Sequence, residues 1–193
     1  MRLVRRWSSS GARDERRVSR PLPDRVLVYG VTGSGKSTAA LAIGALTGHP
    51  VTLADELTWL PGWVPVEESR QRELIGEIVA GERWLLDTAY GSWRDLVVPR
   101  AQLVIGLDYP RWLSLARLVR RTVTRAVTKE PMCNGNVETW RKVVARDSII
   151  VWHLQSFARK RQRMREWAAS PDGPEVLLFT HPRELEAWLA TLG

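Results

Sequence analysis

Apolar residues fall along this chain in short blocks rather than long runs, and the period within each block changes from one to the next. "RVLVY" (25–29), bounded by Pro23 and Gly30, is a continuous β-rich run, which predicts a buried strand. Helix formers follow from Lys36 to Leu46. "PVTLA" (50–54) predicts a second strand, while 66–80 places Leu74, Ile75, Ile78 and Val79 on one helical face. "RWLLD" (83–87) and "AQLVIGLD" (101–108) predict two further buried strands, each ending at an aspartate. Helical periodicity returns over 110–127, opened by a proline suited to a first turn. It resumes over 137–167 after the loop "TKEPMCNGN" (128–136). "PEVLLFT" (174–180) predicts a fifth strand and 182–192 a closing helix.

Strands alternating with helices imply a parallel sheet covered on both faces. Ligands of such sheets bind outside the carboxyl ends of the strands. That rule brings Gly30, Asp55, Asp87, Asp108 and Thr180 to one edge, although they are scattered along the chain.

Composition sharpens this picture only at the amino-terminal end. The chain has 193 residues with a formal charge of +8, and residues 1–25 hold eight arginines against three acidic residues. Residues 1–24 lack apolar periodicity and are expected to form a disordered basic tail, leaving 25–193 as one domain. Such a tail is either a solvated extension or a weak binder of nucleic acid. Asp14 and Glu15 argue against a transit peptide, and the tail has no apolar core of a secretory signal. No apolar run is long enough to span a bilayer. Cys133, the one cysteine, cannot form an internal disulfide or a cysteine zinc cluster. A cytoplasmic, monomeric protein is expected.

The chemistry is concentrated at Gly30-Val31-Thr32-Gly33-Ser34-Gly35-Lys36-Ser37, which satisfies G-x-x-x-x-G-K-[ST] between a predicted strand and a predicted helix. Gly33 and Gly35 let the loop curl so that backbone N–H groups, including those around Ser34 and Thr38, point at anionic oxygens. Lys36 supplies a mobile positive charge, Ser37 a hydroxyl for Mg²⁺, and the new helix its positive end. This combination predicts binding of ATP with Mg²⁺. A second carboxylate should complete the metal shell. Asp87, at the end of "WLLD", is the first candidate; Asp108 competes, or caps the helix that follows it.

Several residues carry a resemblance. The "WLLD" segment, the "LDYP" turn (107–110) and "LARLVRR" (115–121) are similar to the adenylate-kinase branch of P-loop kinases. The resemblance implies a three-layer α/β P-loop NTPase sandwich with a five-stranded parallel sheet and a helical lid at about 120–140. It also implies that Asp87 associates with Mg²⁺, Arg117 lies near adenine and Arg121 reaches the phosphates. A closer resemblance, over about 25–167, is to small bacterial P-loop proteins called DNA topology modulation (FlaR-like) proteins. It rests on "WLPGW" (59–63), Asp87 to Tyr90, "LDYPRW" (107–112), "ETWR" (138–141) and "RDSI" (146–149). That group usually has Asp-Gly-Asn-Tyr where this chain has Thr88 and Ala89 in the middle. Adenylate kinases also grip AMP with an arginine directly after the third-strand turn; here the nearest is Arg94, so AMP does not follow as the acceptor.

Asp55 is either an acceptor-side base or a helix cap. Trp59 and Trp63 either stack on substrate or pack a hinge. Arg117, Arg121 and Arg125 share a helix face, solvated or gathered round phosphate, with Arg159 and Arg163 a similar pair beyond the lid. The resemblance implies that the adenine ring lies against the loop of Thr180, His181 and Pro182. His49, His153 and Cys133 are expected to be structural. Together these readings give an ATP-dependent phosphotransferase acting on a small acceptor, a nucleotide being one candidate, with Lys36, Arg121 and Asp55 at the chemistry. The alternative is an ATP-sensing regulator associated with nucleic acid.

Overall fold

The computed structural model describes residues 21–143, 145 and 148–193. The expected disordered tail therefore lies outside the described residues except for 21–24, as do Arg146 and Asp147 of the "RDSI" motif.

Alternation of strand and helix is realised in chain order. The first half runs β1 (Arg25–Gly30), α1 (Lys36–Thr47), β2 (Val51–Thr52), α2 (Ala54–Thr58), β3 (Trp59–Leu60), β4 (Val64–Pro65), α3 (Glu68–Ala80), β5 (Trp84–Leu86) and α4 (Arg94–Val97). The second half runs β6 (Leu103–Leu107), α5 (Arg111–Thr128), α6 (Trp140–Val143), α7 (Ile149–Ala169), β7 (Glu175–Phe179) and α8 (Pro182–Leu189). Five strands form one sheet in the order β2-β5-β1-β6-β7, and its pairings are all parallel. β1 is central, between β5 and β6, so the loop that leaves it is flanked by the ends of both neighbours.

Each face of the sheet is buried, as the continuous apolar runs require. Leu27 and Tyr29 of β1 pack into one core with Ile75, Val79, Trp93 and Met164. Val26 and Val28 pack into the other with Ala40, Ile43, Leu185 and Trp188. The result is a three-layer α/β sandwich. No helix among the described residues is long and apolar enough to cross a membrane.

Two departures from the expected elements lie between β2 and α3 and between α5 and α7. The predicted strand at 50–54 shortens to two residues and turns at once into α2, and the "WLPGW" element makes an antiparallel β3–β4 hairpin. The single helix expected over 137–167 is broken: α6 has four residues, and α7 restarts after Ser148, whose hydroxyl accepts from the Val151 amide as its N-cap. The helical lid expected at 120–140 is in part the unbroken end of α5. Past that end the chain enters a loop closed by a Met132–Asn136 bridge.

Candidate active site

The centre of the site is the β1–α1 loop, and its backbone explains its glycines. Gly33 and Gly35 have φ of 81° and 91°, a left-handed geometry that side chains resist. A Cβ on Gly33 would also lie 2.4 Å from the Ser114 carbonyl oxygen and 2.8 Å from Leu118 Cβ of α5. Gly30 is packed as closely: a Cβ there would meet Ser34 Oγ at 2.7 Å. Gly35 caps α1 without any side-chain oxygen on the first-turn amides, which leaves them to an outside anion. The Lys36 ammonium folds back along the loop and donates to the Val31 carbonyl at 3.2 Å. Its burial lowers its pKa, opposed by the charges of Asp87 and Asp55. From the other side His153 of α7, fully buried, donates through Nδ1 to the Thr32 carbonyl at 2.9 Å. The loop is thus fixed from both faces while its amide side stays open.

β5 beside β1 brings the second carboxylate to the loop. Ser37 Oγ donates to Asp87 Oδ2 at 2.6 Å, and the Ala54 amide donates to Asp87 Oδ1 at 2.9 Å. Asp87 is 3% exposed, and burial raises its pKa against these two hydrogen bonds and the Lys36 charge. A hydroxyl and a carboxylate in contact beside a phosphate-shaped loop fit a magnesium–nucleotide. No group of three or more His, Cys, Asp or Glu residues could hold a metal among the described residues. A divalent cation here would take much of its shell from phosphate and water.

Asp108 does not compete for that role, nor is it a cap. Its carboxylate, 3% exposed, accepts from Arg161 Nε at 2.7 Å and Arg165 Nη2 at 3.0 Å, while the N-cap of α5 is Pro110, with no side-chain cap hydrogen bond. Two guanidinium groups on α7 neutralise it and tie that helix to the end of β6.

The three α5 arginines divide along the helix. Arg117 lies over the Tyr109 ring, 5.7 Å from its centroid, and lines a cleft of about 390 Å³. Arg121 lines the same cleft together with Gly33, Ser34, Gly35, Thr38 and Pro182. Arg125 turns toward the loop beyond α5, its Nη1 at 3.2 Å from Met132 Sδ. The cleft ends against Leu185, Glu186 and Leu189 of α8. Thr180 is not part of its lining: its amide and its hydroxyl both donate to the Glu184 carboxylate. Pro182, two residues on, forms the wall expected of that loop.

Arg159 also differs from expectation. Its guanidinium lies over the exposed Trp152 ring at 5.9 Å, and the buried residue of that helical turn is its neighbour Lys160. Arg163 points inward, with Nη1 at 3.5 Å from the Tyr29 hydroxyl. A lysine in a run rich in arginine gives no signal of its own in the sequence; only the phase of α7 separates it from its neighbours.

On the far side of Asp87 stands Asp55, in the first turn of α2 behind the N-cap Leu53. Its carboxylate accepts a short hydrogen bond from Tyr90 Oη. Burial and this charge raise the Tyr90 pKa well above the ordinary phenol. Thr88 and Ala89 between Asp87 and Tyr90 are buried. Trp59 and Trp63 pack edge to face at 5.9 Å in the hairpin, and Trp63 Nε1 donates to the Val137 carbonyl. Trp63 thereby joins the hairpin to the segment beyond α5. Burial pushes the Cys133 thiol up to about 11, so it stays protonated near neutrality. His49 is structural, its Nε2 on the Pro23 carbonyl.

The arrangement has parallels among solved structures. A gluconokinase from Sinorhizobium meliloti superposes with a TM-score of 0.52, covering 90% of this chain and 95% of that one at 20% identity. A sugar kinase from a Janibacter species gives 0.51 over 89% and 95%, also at 20% identity. Shikimate kinase from Acinetobacter baumannii, in complex with shikimate, gives 0.57 over 89% and 92% at 13% identity. The fold is shared with these three kinases. Identities this low carry the architecture and not the substrate. In sequence, 100 residues (51% of the chain) are 28% identical to the uncharacterized protein YqaC of Bacillus subtilis, and the match spans about half of that protein, 56% of its length. No protein-family model matches the chain.

Proposed function

We propose that the protein is an ATP-dependent phosphotransferase of the adenylate-kinase-like type that acts on a small hydroxylated acceptor. The observation that carries this reading is the contact of Ser37 with Asp87 at the mouth of the Gly30–Ser37 loop, with a separate carboxylate, Asp55, beyond it. A nucleotide-binding protein needs the first pair; the second carboxylate is what a transfer reaction adds. The base would lie in the cleft between Tyr109 and Pro182, with Arg117 beside it. The loop amides, Lys36 and Arg121 would hold the phosphates, and Ser37 and Asp87 the magnesium, which withdraws charge from the phosphate oxygens. In transfer the acceptor oxygen bonds to the γ-phosphorus, the bond to the β–γ bridging oxygen breaks, ADP leaves, and the hydroxyl proton passes to Asp55 and then to solvent.

The similar solved structures are named for gluconate, a sugar and shikimate. Sugars, sugar acids and nucleotides are therefore the arms of an acceptor screen with labelled ATP. Lys36→Ala should abolish measurable ATP binding in calorimetry while the circular dichroism of the fold is retained. Unchanged ATP affinity in that variant overturns the nucleotide assignment.

The arginine-rich segment 1–25 favours a second reading, a nucleic-acid-associated regulator of the FlaR-like kind. Salt-dependent DNA binding that vanishes on deletion of residues 1–24, with no transfer to any acceptor in the screen, would select it.

A further inference from the structure

α7 turns one row of side chains toward the phosphate loop. His153 is bonded to the Thr32 carbonyl within that loop, and Arg163 lies against Tyr29, the residue before Gly30. Lys160 is on the same side of the helix between them and is only 8% exposed. Among the described residues none accepts a hydrogen bond from its ammonium group. The charges that act on it are Lys36 of α1, Arg159 and Arg163 of its own helix, and Asp55 of α2; Lys160 in turn acts on His153.

Two lysines within electrostatic reach of each other, both drawn out of water, form an unfavourable arrangement unless an anion is shared between them. Asp55 is the carboxylate that acts most strongly on Lys160 among the described residues, and it also answers Lys36 and receives the Tyr90 hydrogen bond. We propose that Lys160 is a second phosphoryl-binding cation, supplied by α7, that contacts the γ-phosphate of bound ATP and not the phosphates that ADP retains. This rests on the nucleotide reading above and deepens it. It assigns to Lys160 the lid-side role that the sequence pattern gave to Arg159. Burial, with the Lys36 charge, lowers the Lys160 pKa to about 7. Contact with a phosphate dianion reverses that shift, so the side chain takes up a proton as ATP arrives.

The test compares ATP with ADP by calorimetry, in the presence of Mg²⁺, for the wild type, Lys160→Met and Lys160→Arg, each first checked for native circular dichroism. The expected result for Lys160→Met is ATP binding weakened about tenfold or more, the scale of one charged hydrogen bond, with ADP affinity within about twofold. Lys160→Arg should keep most of the preference for ATP. At pH 8, in buffers of differing ionisation enthalpy, ATP binding to the wild type should take up close to one proton more than ADP binding. That excess should be missing in Lys160→Met. Equal weakening of ATP and ADP, or no change in either, overturns the proposal, because a lysine that merely supports Asp55 or the loop would behave so. A wild-type protein that binds neither nucleotide removes the underlying reading, a failure distinct from these.

Discussion

The two halves of the candidate site are built by different means. Around the Gly30–Ser37 loop the backbone itself forms the surface of the site, and residues without side chains or with very small ones shape it. Gly30, Gly33 and Gly35 sit where a Cβ would collide or φ is positive. In the β3–β4 hairpin and the loop beyond α5, positive φ values fall on Trp63, Cys133 and Asn134 as well as on Gly62 and Gly135. There the conformation is held by polar side chains reaching across the chain. Asn134 Nδ2 donates to the carbonyls of Glu56 and Trp59, Asn136 Nδ2 donates to that of Leu60, and Asn136 Oδ1 accepts from the Trp63 amide. The half around the Gly30–Ser37 loop is specified by steric fit around glycine, and the other half by long-range hydrogen bonds that fasten the 129–137 loop to the β3–β4 hairpin.

Matched glycine variants test this contrast most directly. Gly33 and Gly135 have nearly the same φ, 81° and 79°, but a Cβ on Gly135 would meet nothing within 4 Å. Gly33→Ala adds a collision with the Ser114 carbonyl and Leu118 to the backbone penalty. It should cost about 3–4 kcal/mol, lowering Tm by roughly 6–16 °C for a domain of this size, and should abolish ATP binding. Gly135→Ala bears only the backbone penalty, about 1 kcal/mol, and should leave ADP affinity intact. Equal losses of Tm in thermal unfolding would mean that close packing against α5 is not what defines the loop.

The same contrast decides what is legible beforehand. The five strands, the glycine-lysine-serine loop and Asp87 are encoded by contiguous runs and fixed spacings, and the sheet bears out the strands. An apolar strand ending in an acid is ambiguous twice, at Asp87 and Asp108. Arg161 and Arg165 break the tie, more than fifty positions from Asp108, and no local pattern connects them to it. Thr180 falls outside the cleft because strand-end geometry does not reveal that Glu184 claims its amide and hydroxyl. The hairpin escapes the pattern because "WLPGWVP" has turn residues but only two-residue strands, too short for alternation to register. Arg159 and Lys160 are adjacent and both cationic. Only the rotation of α7 says which of them is buried.

Asn136 probes the hairpin half at its most buried polar point, 2% exposed. Asn136→Ala removes its bonds to Leu60, Cys133 and the Trp63 amide and strands those backbone groups. A loss of about 2 kcal/mol is expected, smaller than for Gly33→Ala. Its signature should be regional: amide hydrogen exchange accelerates in 59–65 and 129–137 together, while the 30–37 loop keeps its protection and ADP affinity is unchanged. Faster exchange in the phosphate loop as well would show that the two halves are one cooperative unit.

A pH-dependent effect is expected where the halves meet, at Lys160 in the nucleotide-free protein. Its pKa in the fold is about 7, below the ordinary lysine value of 10.5. Between those values the unfolded chain holds a proton that the folded chain has released, so this group makes stability fall as pH drops and rise as pH climbs across the window. Below about pH 7 both states are protonated and the full cost of burying the charge is present. Lys160→Met removes that cost. Its Tm should exceed that of the wild type by roughly 10 °C or more at pH 6, and the difference should shrink steadily toward pH 10, where the wild-type lysine is neutral in the fold. Any gain from methionine packing is the same at each pH and drops out of the trend. Saturating Mg²⁺-ATP should reverse the order at pH 7, because the wild type then gains an anion for its charge and the variant does not. A difference in Tm that stays constant from pH 6 to pH 10 would mean that Lys160 carries no burial penalty. Lys160 would then be no waiting cation for the phosphate.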